Sequence, residues 1–197
     1  MATDTSSVLI VEDEPELADL YASWLEDAYA VETAVDGVGA LETIDDTVDV
    51  VLLDRRMPEL SGETILGAIR DRGVDCRVAM VTAVEPDFDI AELGIDDYLV
   101  KPISKAELSE LVEQLLLRSS YDEQLREFFS LASKKAVLDA EKSEAERKSS
   151  EEYARLQDRL AVLRARADET MSTLLEQDGY RRLCQDLERE PGDRGEK

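Results

Sequence analysis

Three short apolar runs each stop on a polar side chain, and this repeated ending restricts the fold more than any other feature of the chain. Val8-Leu9-Ile10-Val11 runs into Glu12 and Asp13, and Val48-Asp49-Val50-Val51-Leu52-Leu53 into Asp54. Val78-Ala79-Met80-Val81 runs into Thr82, and a shorter run, Tyr98-Leu99-Val100, into Lys101-Pro102. Such runs have strand length, and strands with almost no polar interruption suit a parallel sheet buried on both faces. Adding 30–33 gives five strands, over 8–11, 30–33, 48–53, 77–81 and 98–100. The stretches between them are amphipathic, which is the alternation of βα units around a parallel sheet.

The helices read from spacing and caps. Pro15 suits the first turn of a helix over 15–28, with Leu17, Leu20, Tyr21, Trp24 and Leu25 as its apolar stripe. Trp24 on that stripe reads as core, not as a ligand platform. Further helices fall at 36–44, at 63–72 with Gly73 as C-cap, and briefly at 89–93. Ser104-x-x-Glu107 is a capping box that opens a fifth, with Leu108, Leu111, Val112 and Leu115 facing inward. The segment through Arg118 is long enough to bury a working core.

Composition removes several chemistries. The chain has no histidine, so a phosphohistidine donor, a Ser-His-Asp hydrolase and a His-ligated metal site are all excluded. Cys76 and Cys184 stand alone, which argues against a disulfide framework or zinc site. No apolar run approaches the roughly 20 residues of a membrane span, and the amino terminus lacks a signal-peptide pattern. The reading is a cytoplasmic protein with no membrane partner. Net charge is −24, unevenly spread: 28 acidic against 8 basic residues through Arg118, then 19 against 15. Such an excess repels itself and repels nucleic acid at low salt, and molar salt screens most of that repulsion. The surface looks like that of a halophile protein.

Open α/β sheets gather reactive groups at the carboxyl ends of their strands. An acid pair, a single Asp, a hydroxyl and Lys-Pro, in that order and each after an apolar run, resembles the receiver domain of two-component response regulators. The resemblance spans about the first 118 residues and implies a flavodoxin-like (βα)5 fold. It makes Asp54 the phosphoacceptor for a sensor histidine kinase. Three strand-end carboxylates repel one another and call for a cation, and Mg²⁺ accepts a few carboxylates with several waters. By resemblance Asp13, Asp54 and the backbone carbonyl of Arg56 hold Mg²⁺ directly, and Glu12 through water. Lys101 and the Thr82 hydroxyl would meet the phosphoryl oxygens, with the Ala83 N–H alongside. Tyr98 would rotate into the space that Thr82 vacates. Pro58 and Gly62 fit the turn after the acceptor, where Pro fixes φ and Gly frees the backbone. The peptide before Pro102 is cis in the family. Two positions depart from the common pattern: Arg56, two past Asp54, and Val84, two past Thr82.

After Arg118 the pattern becomes helical, and we divide the chain into a receiver at 1–118, a helical domain at 119–190 and a disordered end at 191–197. Ser120-x-x-Glu123 suggests a new helix carrying Leu125, Phe128, Phe129 and Ala132, and Ser149-x-x-Glu152 a restart after a charged stretch. Tyr153, Leu156, Leu160, Leu163 and Ala167 then step by 3, 4, 3 and 4, continuing through Thr170 to Leu174. That is an a/d seam. Asp178-Gly179 interrupts it, and Tyr180, Leu183 and Leu187 suggest a short last helix. An antiparallel hairpin and an intermolecular coiled coil, hence a homodimer, both fit the seam. In length, composition and position the tail resembles the HalX module found behind receivers in halophilic archaea. Two outputs are open for it: protein contacts, or contact with DNA or the transcription machinery. No residue types after Arg118 form a catalytic constellation.

Overall fold

The computed structural model describes residues 5–176. Five strands form one parallel sheet: β1 (Ser7–Val11), β2 (Ala30–Ala34), β3 (Val50–Leu53), β4 (Arg77–Thr82) and β5 (Asp97–Val100). Their order is β2-β1-β3-β4-β5, the doubly wound order of flavodoxin-like sheets. Register sets Val8 beside Val50 and Val50 beside Arg77, so β1, β3 and β4 end almost level. Their following residues are thereby delivered to one edge.

The period of two in each strand divides the core between two faces. Leu9, Val11, Val51, Leu53, Val78 and Met80 pack on one side with Ile65, Leu66 and Ile69 of α3 (Gly62–Arg72) and with Ala40 of α2 (Gly37–Thr43). Val8, Ile10, Val50, Leu52, Ala79 and Val81 pack on the other with Tyr21 and Leu25 of α1 (Pro15–Leu25). Leu108, Leu111, Val112 and Leu115, from the start of α4 (Lys105–Glu141), complete that face. Trp24 lies against this core, its ring 5.4 Å from that of Tyr21. Leu20 departs from the expected stripe: it is exposed, and small Ala18 takes the buried place.

Caps explain the helix ends. Asp36 accepts the Gly39 N–H at 2.7 Å. Ser61 caps α3, and Gly73 ends it in the left-handed region at φ 72°. At 89–93 the expected helix is replaced by a 3-10 turn, Phe88–Ala91, none of whose residues is buried. Without an apolar face to pack, four residues cannot sustain an α-helix.

The chain divides into two compact units, with the boundary between Leu116 and Leu117. The division falls inside α4, which runs unbroken through Ser120. The expected cap there does not form, because no Gly or Pro interrupts the chain between Ile103 and Asp178. Phe129, expected on the apolar side of that stretch, is 63% exposed.

In the second unit α4 is followed by α5 (Glu144–Ser149) and α6 (Glu151–Glu176). The break before α5 is a capping box of Ser143 with Glu146, which the sequence reading passed over. The restart at α6 is capped by Ser150, whose Oγ accepts the Tyr153 N–H at 3.1 Å, and not by Ser149. Along α6, Tyr153, Leu156 and Leu160 are half-buried and Leu163, Ala167, Thr170 and Leu174 buried, while every other residue is exposed. Polar pairs give the direction of packing. Asp139 meets Tyr153, Glu127 meets Arg159 and Gln124 meets Thr170, so α6 runs antiparallel to the second half of α4. The seam therefore closes within one chain as a hairpin. The expected final helix at Tyr180–Leu187, residues 191–197 and Cys184 lie outside the described residues. Among the described residues no helix is long and apolar enough to cross a membrane.

Candidate functional site

The level strand ends bring Glu12, Asp13 and Asp54 together: one carboxylate oxygen of each lies within 4.8 Å of the others. Backbone bonds fix the positions. The Asp54 N–H donates to the Val11 carbonyl at 2.9 Å and the Glu12 N–H to that of Ala34 at 3.0 Å. Glu12 is 2% and Asp54 8% exposed. Two acids this deep need a countercharge, since an unpaired buried charge is costly. Lys101 supplies it. Its Nζ donates to Glu12 Oε2 at 2.5 Å and to Asp54 Oδ2 at 2.6 Å.

The compensation is incomplete. One ammonium faces three carboxylates, and Glu12 Oε1 is buried with no hydrogen-bond partner. Burial pushes the Glu12 carboxyl above its ordinary range, against the pull of Lys101. For Lys101 burial acts downward, but its bonds to Asp54 and Glu12 together hold the ammonium above its ordinary value. The pocket is thus short of positive charge, and the ligand atoms that its three carboxylates offer a cation are all oxygens.

The other strand ends close the site. Thr82 is buried at the end of β4; its Oγ1 accepts the Val84 N–H at 3.4 Å, and its carbonyl accepts the Lys101 N–H at 2.8 Å. Ala83 follows it, exposed. The Tyr98 hydroxyl donates to the Val84 carbonyl at 2.8 Å. The Lys101–Pro102 peptide is cis. Beyond Asp54, the Arg56 N–H donates to Asp54 Oδ1 at 3.0 Å, and the Arg56 side chain is exposed.

In the turn containing Pro58, the positive φ falls on Glu59, at 67°, and not on Gly62. Gly62 is needed for space: a Cβ there would stand 2.3 Å from the Asp54 carbonyl oxygen. Its missing side chain lets α3 begin against Asp54, which corrects the conformational role expected for it.

Arg55 escaped the sequence reading. Its Nε donates to Glu63 Oε1 at 2.7 Å and its NH2 group pairs with Asp89. The Glu63 partner lies eight residues away, within reach of inspection; Asp89 lies 34 away and has no local signal. In the tail, Asp139 was likewise missed. It accepts from Lys135 Nζ at 2.6 Å, from an Arg147 NH1 at 2.5 Å and from the Tyr153 hydroxyl at 2.5 Å. These three donors hold its carboxyl well below the usual carboxylate range.

Comparison with known proteins agrees with this geometry. Residues 8–113 match the response regulator receiver domain and residues 117–184 the HalX domain. A Haloferax volcanii protein named "Putative transcriptional regulator" is 52% identical over 159 residues, 80% of this chain and 27% of that one. The transcriptional regulatory protein CpxR of Escherichia coli is 38% identical over 123 residues, 60% of this chain and 53% of its own. The chain thus spans about half or less of the length of these relatives. Among solved structures, the response regulator TrrA of Thermotoga maritima, in complex with Mg²⁺ and beryllofluoride, is 33% identical with a TM-score of 0.50. The match covers 56% of this chain and 98% of that one. The Francisella response regulator 1452 receiver domain superposes with a TM-score of 0.53 at 29% identity, covering 58% and 98%. With more than half its length matched and its strand-end acids, Thr82 and Lys101 converging on one pocket, the chain belongs to the response regulator receiver family and carries a HalX domain behind it.

Proposed function

We propose that Asp54 accepts a phosphoryl group from the phosphohistidine of a sensor histidine kinase, and that the phosphorylated receiver signals through the helical HalX domain by protein contacts. The observation that carries the reading is the Glu12–Lys101–Asp54 arrangement, in which the acceptor carboxylate is held on both oxygens by Lys101 and the Arg56 N–H. Phosphoryl transfer depends mostly on positioning and charge neutralisation; the strand ends supply the first, Lys101 part of the second, and a bound cation would supply the rest.

The pocket fits Mg²⁺. It offers oxygen donors alone, three carboxylates within 4.8 Å and one buried carboxylate oxygen without a partner. Asp13, Asp54 and the Arg56 carbonyl would hold the ion, with Glu12 reaching it through water. When bound, Mg²⁺ neutralises the carboxylates and draws on the phosphoryl oxygens. The relative TrrA, solved with Mg²⁺ and beryllofluoride, supports that assignment. An Asp54 oxygen attacks phosphorus, forming an acyl phosphate as the phosphorus–nitrogen bond of the donor breaks. Lys101 takes a phosphoryl oxygen in place of part of its contact with Asp54, and the Thr82 hydroxyl and Ala83 N–H donate to others. Tyr98 is then free to follow Thr82, at the cost of its bond to the Val84 carbonyl.

A second output has a specific support. The tail carries 19 acidic against 15 basic residues, far nearer neutrality than the receiver, so contact with DNA or the transcription machinery is open to it. The transcriptional regulators among the relatives point the same way.

The test is direct. A small phosphodonor with Mg²⁺ adds one phosphoryl group to the intact chain, read by mass, and Asp54→Asn abolishes the addition. Undiminished labelling of the variant would sink the assignment.

A further inference from the structure

The second unit carries an uncharged strip on the outside of α4. Phe129 is 63% and Val137 62% exposed, the two highest values for large apolar side chains among the described residues of that unit. Residues four and seven apart share a helix face, so Ser133, Ala136 and Ala140, all exposed, lie on the same strip. Arg126 and Lys134 stand at its rim. Within it no side chain is charged, although 36% of the chain is charged and the net charge is −24. Beside the strip, toward α6, lies a hollow of about 510 Å³ lined by Phe128, Ala132 and Ala136 of α4 and by Leu160, Ala161 and Arg164 of α6. Its two other charged groups, Lys135 and Asp139, are paired with each other at 2.6 Å. The alanines leave room, and the Arg164 guanidinium offers a cation to the face of a ring. The hollow therefore suits an aromatic side chain. Phe129 of the same chain does not line it; its ring stands edge-on to that of Phe128, with centroids 5.7 Å apart.

We infer that this strip pairs with the same strip of a second copy of the chain, antiparallel about a two-fold axis at Ser133. A two-fold contact requires each copy to carry both halves of the fit. This face does: Phe129 is a knob, and the hollow beside Ala136, two turns along the same helix, is a hole. With the axis at Ser133, position 129 of each copy faces position 137 of the other, next to Ala136, so each Phe129 enters the other's hollow. Among the described residues of the unit no other aromatic side chain is exposed. Charge favours a like copy at this face and no other. Two chains of −24 repel each other, and an uncharged strip is where they can approach with least repulsion. From Phe129 to Ala140 the strip is only about 18 Å long at 1.5 Å a residue, so the contact falls at the low end of specific interfaces, below roughly 1,200 Å². The result is a weak dimer that salt favours. The a/d seam of α6 is already closed within the chain, so the pairing uses a different face. It does not depend on Asp54 accepting phosphate.

Sedimentation of the intact, unphosphorylated chain tests it, from roughly 1 µM to 1 mM, the range in which a contact of this size associates. In molar KCl the mass should rise toward two copies, with association at least about tenfold tighter than at low salt, where the repulsion is less screened. Phe129→Asp puts a charge on each side of the contact and should weaken association by more than about tenfold, as for a lost aromatic anchor. Ala161→Glu, across the hollow on α6, should do the same. Phe88→Ala, at an exposed aromatic of the receiver, should change nothing. All three positions are exposed, and unchanged ellipticity checks that the fold is kept. In a Cys184→Ser background, Ser133→Cys should give a disulfide-linked dimer under mild oxidation, because the axis sets the two thiols side by side. Ser172→Cys, exposed on α6, should not. A chain that stays monomeric throughout overturns the pairing; if Leu183→Asp then releases a dimer, residues 177–197 are what covers the strip. Undiminished association in Phe129→Asp or Ala161→Glu, its loss in Phe88→Ala, or equal cross-linking at 172 and 133 overturns it as well.

Discussion

The receiver pocket and the tail hairpin each centre on a carboxylate with a cationic partner, yet the two are finished differently. Around Asp139 in the tail, Lys135, Arg147 and Tyr153 supply three donors to one acid at a partly exposed site. Around Asp54 one lysine serves two buried acids, a third lies close by, and a buried oxygen of Glu12 has no partner. The tail cluster is complete as it stands and ties α4, α5 and α6 together. The pocket is left short of positive charge, which is the feature that the proposed Mg²⁺ and phosphoryl chemistry would use. Satisfied polar networks belong to architecture, and unsatisfied ones at a strand edge belong to chemistry.

The sharpest break of this comparison is an uncompensated charge in the hairpin. Leu160→Asp with Leu163→Asp puts two carboxylates in the seam, and the loss of helical packing is expected to be complete, read as lost ellipticity with the pocket still accepting phosphate. If helicity is unchanged the seam reading is wrong. If phosphorylation at Asp54 disappears too, the division into two units is wrong. The milder Leu163→Ala should cost about 2–5 kcal/mol, and Leu160→Ala less, because Leu163 is buried and Leu160 only half-buried. Equal losses in chemical denaturation would contradict that ordering.

Salt should separate the regions next. With 28 acidic against 8 basic residues through Arg118 and 19 against 15 beyond, screening should raise the melting temperature of the first unit steeply toward molar KCl. Exchange protection of the β-strands and of α6, followed in the same intact chain, gives the two responses separately. A flat response in the strands would refute the halophile reading.

Metal affinity gives a finer distinction. Asp13→Asn should weaken Mg²⁺ binding about tenfold more than Glu12→Gln, since outer contacts orient a metal while inner ligands bind it. Calorimetric affinities that come out equal would remove the ranking of the two acids. The smallest expected effect is in the tail. Asp139 has a folded pKa below its unfolded value, so its stabilising contribution is present in full above about pH 4. That contribution is lost as pH falls through the lowered folded value. Asp139→Asn should therefore flatten the acid limb of the tail's stability while changing little in acid itself. An acid limb as steep as that of the wild type would show that Asp139 is not its source.

Much of this was legible in the chain. The strands announced themselves because a strand buried on both faces needs an apolar run, and the acid at its end needs a reason to be there. Order and residue type then led to Glu12, Asp13, Asp54, Thr82 and Lys101, and the geometry brings these five to one edge. The α6 seam was equally plain, because a step of 3 and 4 is a property of one helix. Local patterns misled where competing caps lay close together. Ser120 looked like a helix start inside a segment with nothing to stop the helix, and Ser149 stood one residue from the cap actually used.

By itself, then, the sequence determined the parallel sheet, the acidic pocket and the amphipathic tail helix, because periodicity and strand-end chemistry are local in the chain. Tertiary structure alone decided three further matters. It closed the seam within one chain, since a heptad pattern records an apolar face and not its partner. It joined Arg55 to Asp89 across 34 residues, a distance at which no spacing rule operates. It also showed that Gly62 serves by leaving room beside the Asp54 carbonyl, because a close approach between two backbones exists only once both have been folded into place.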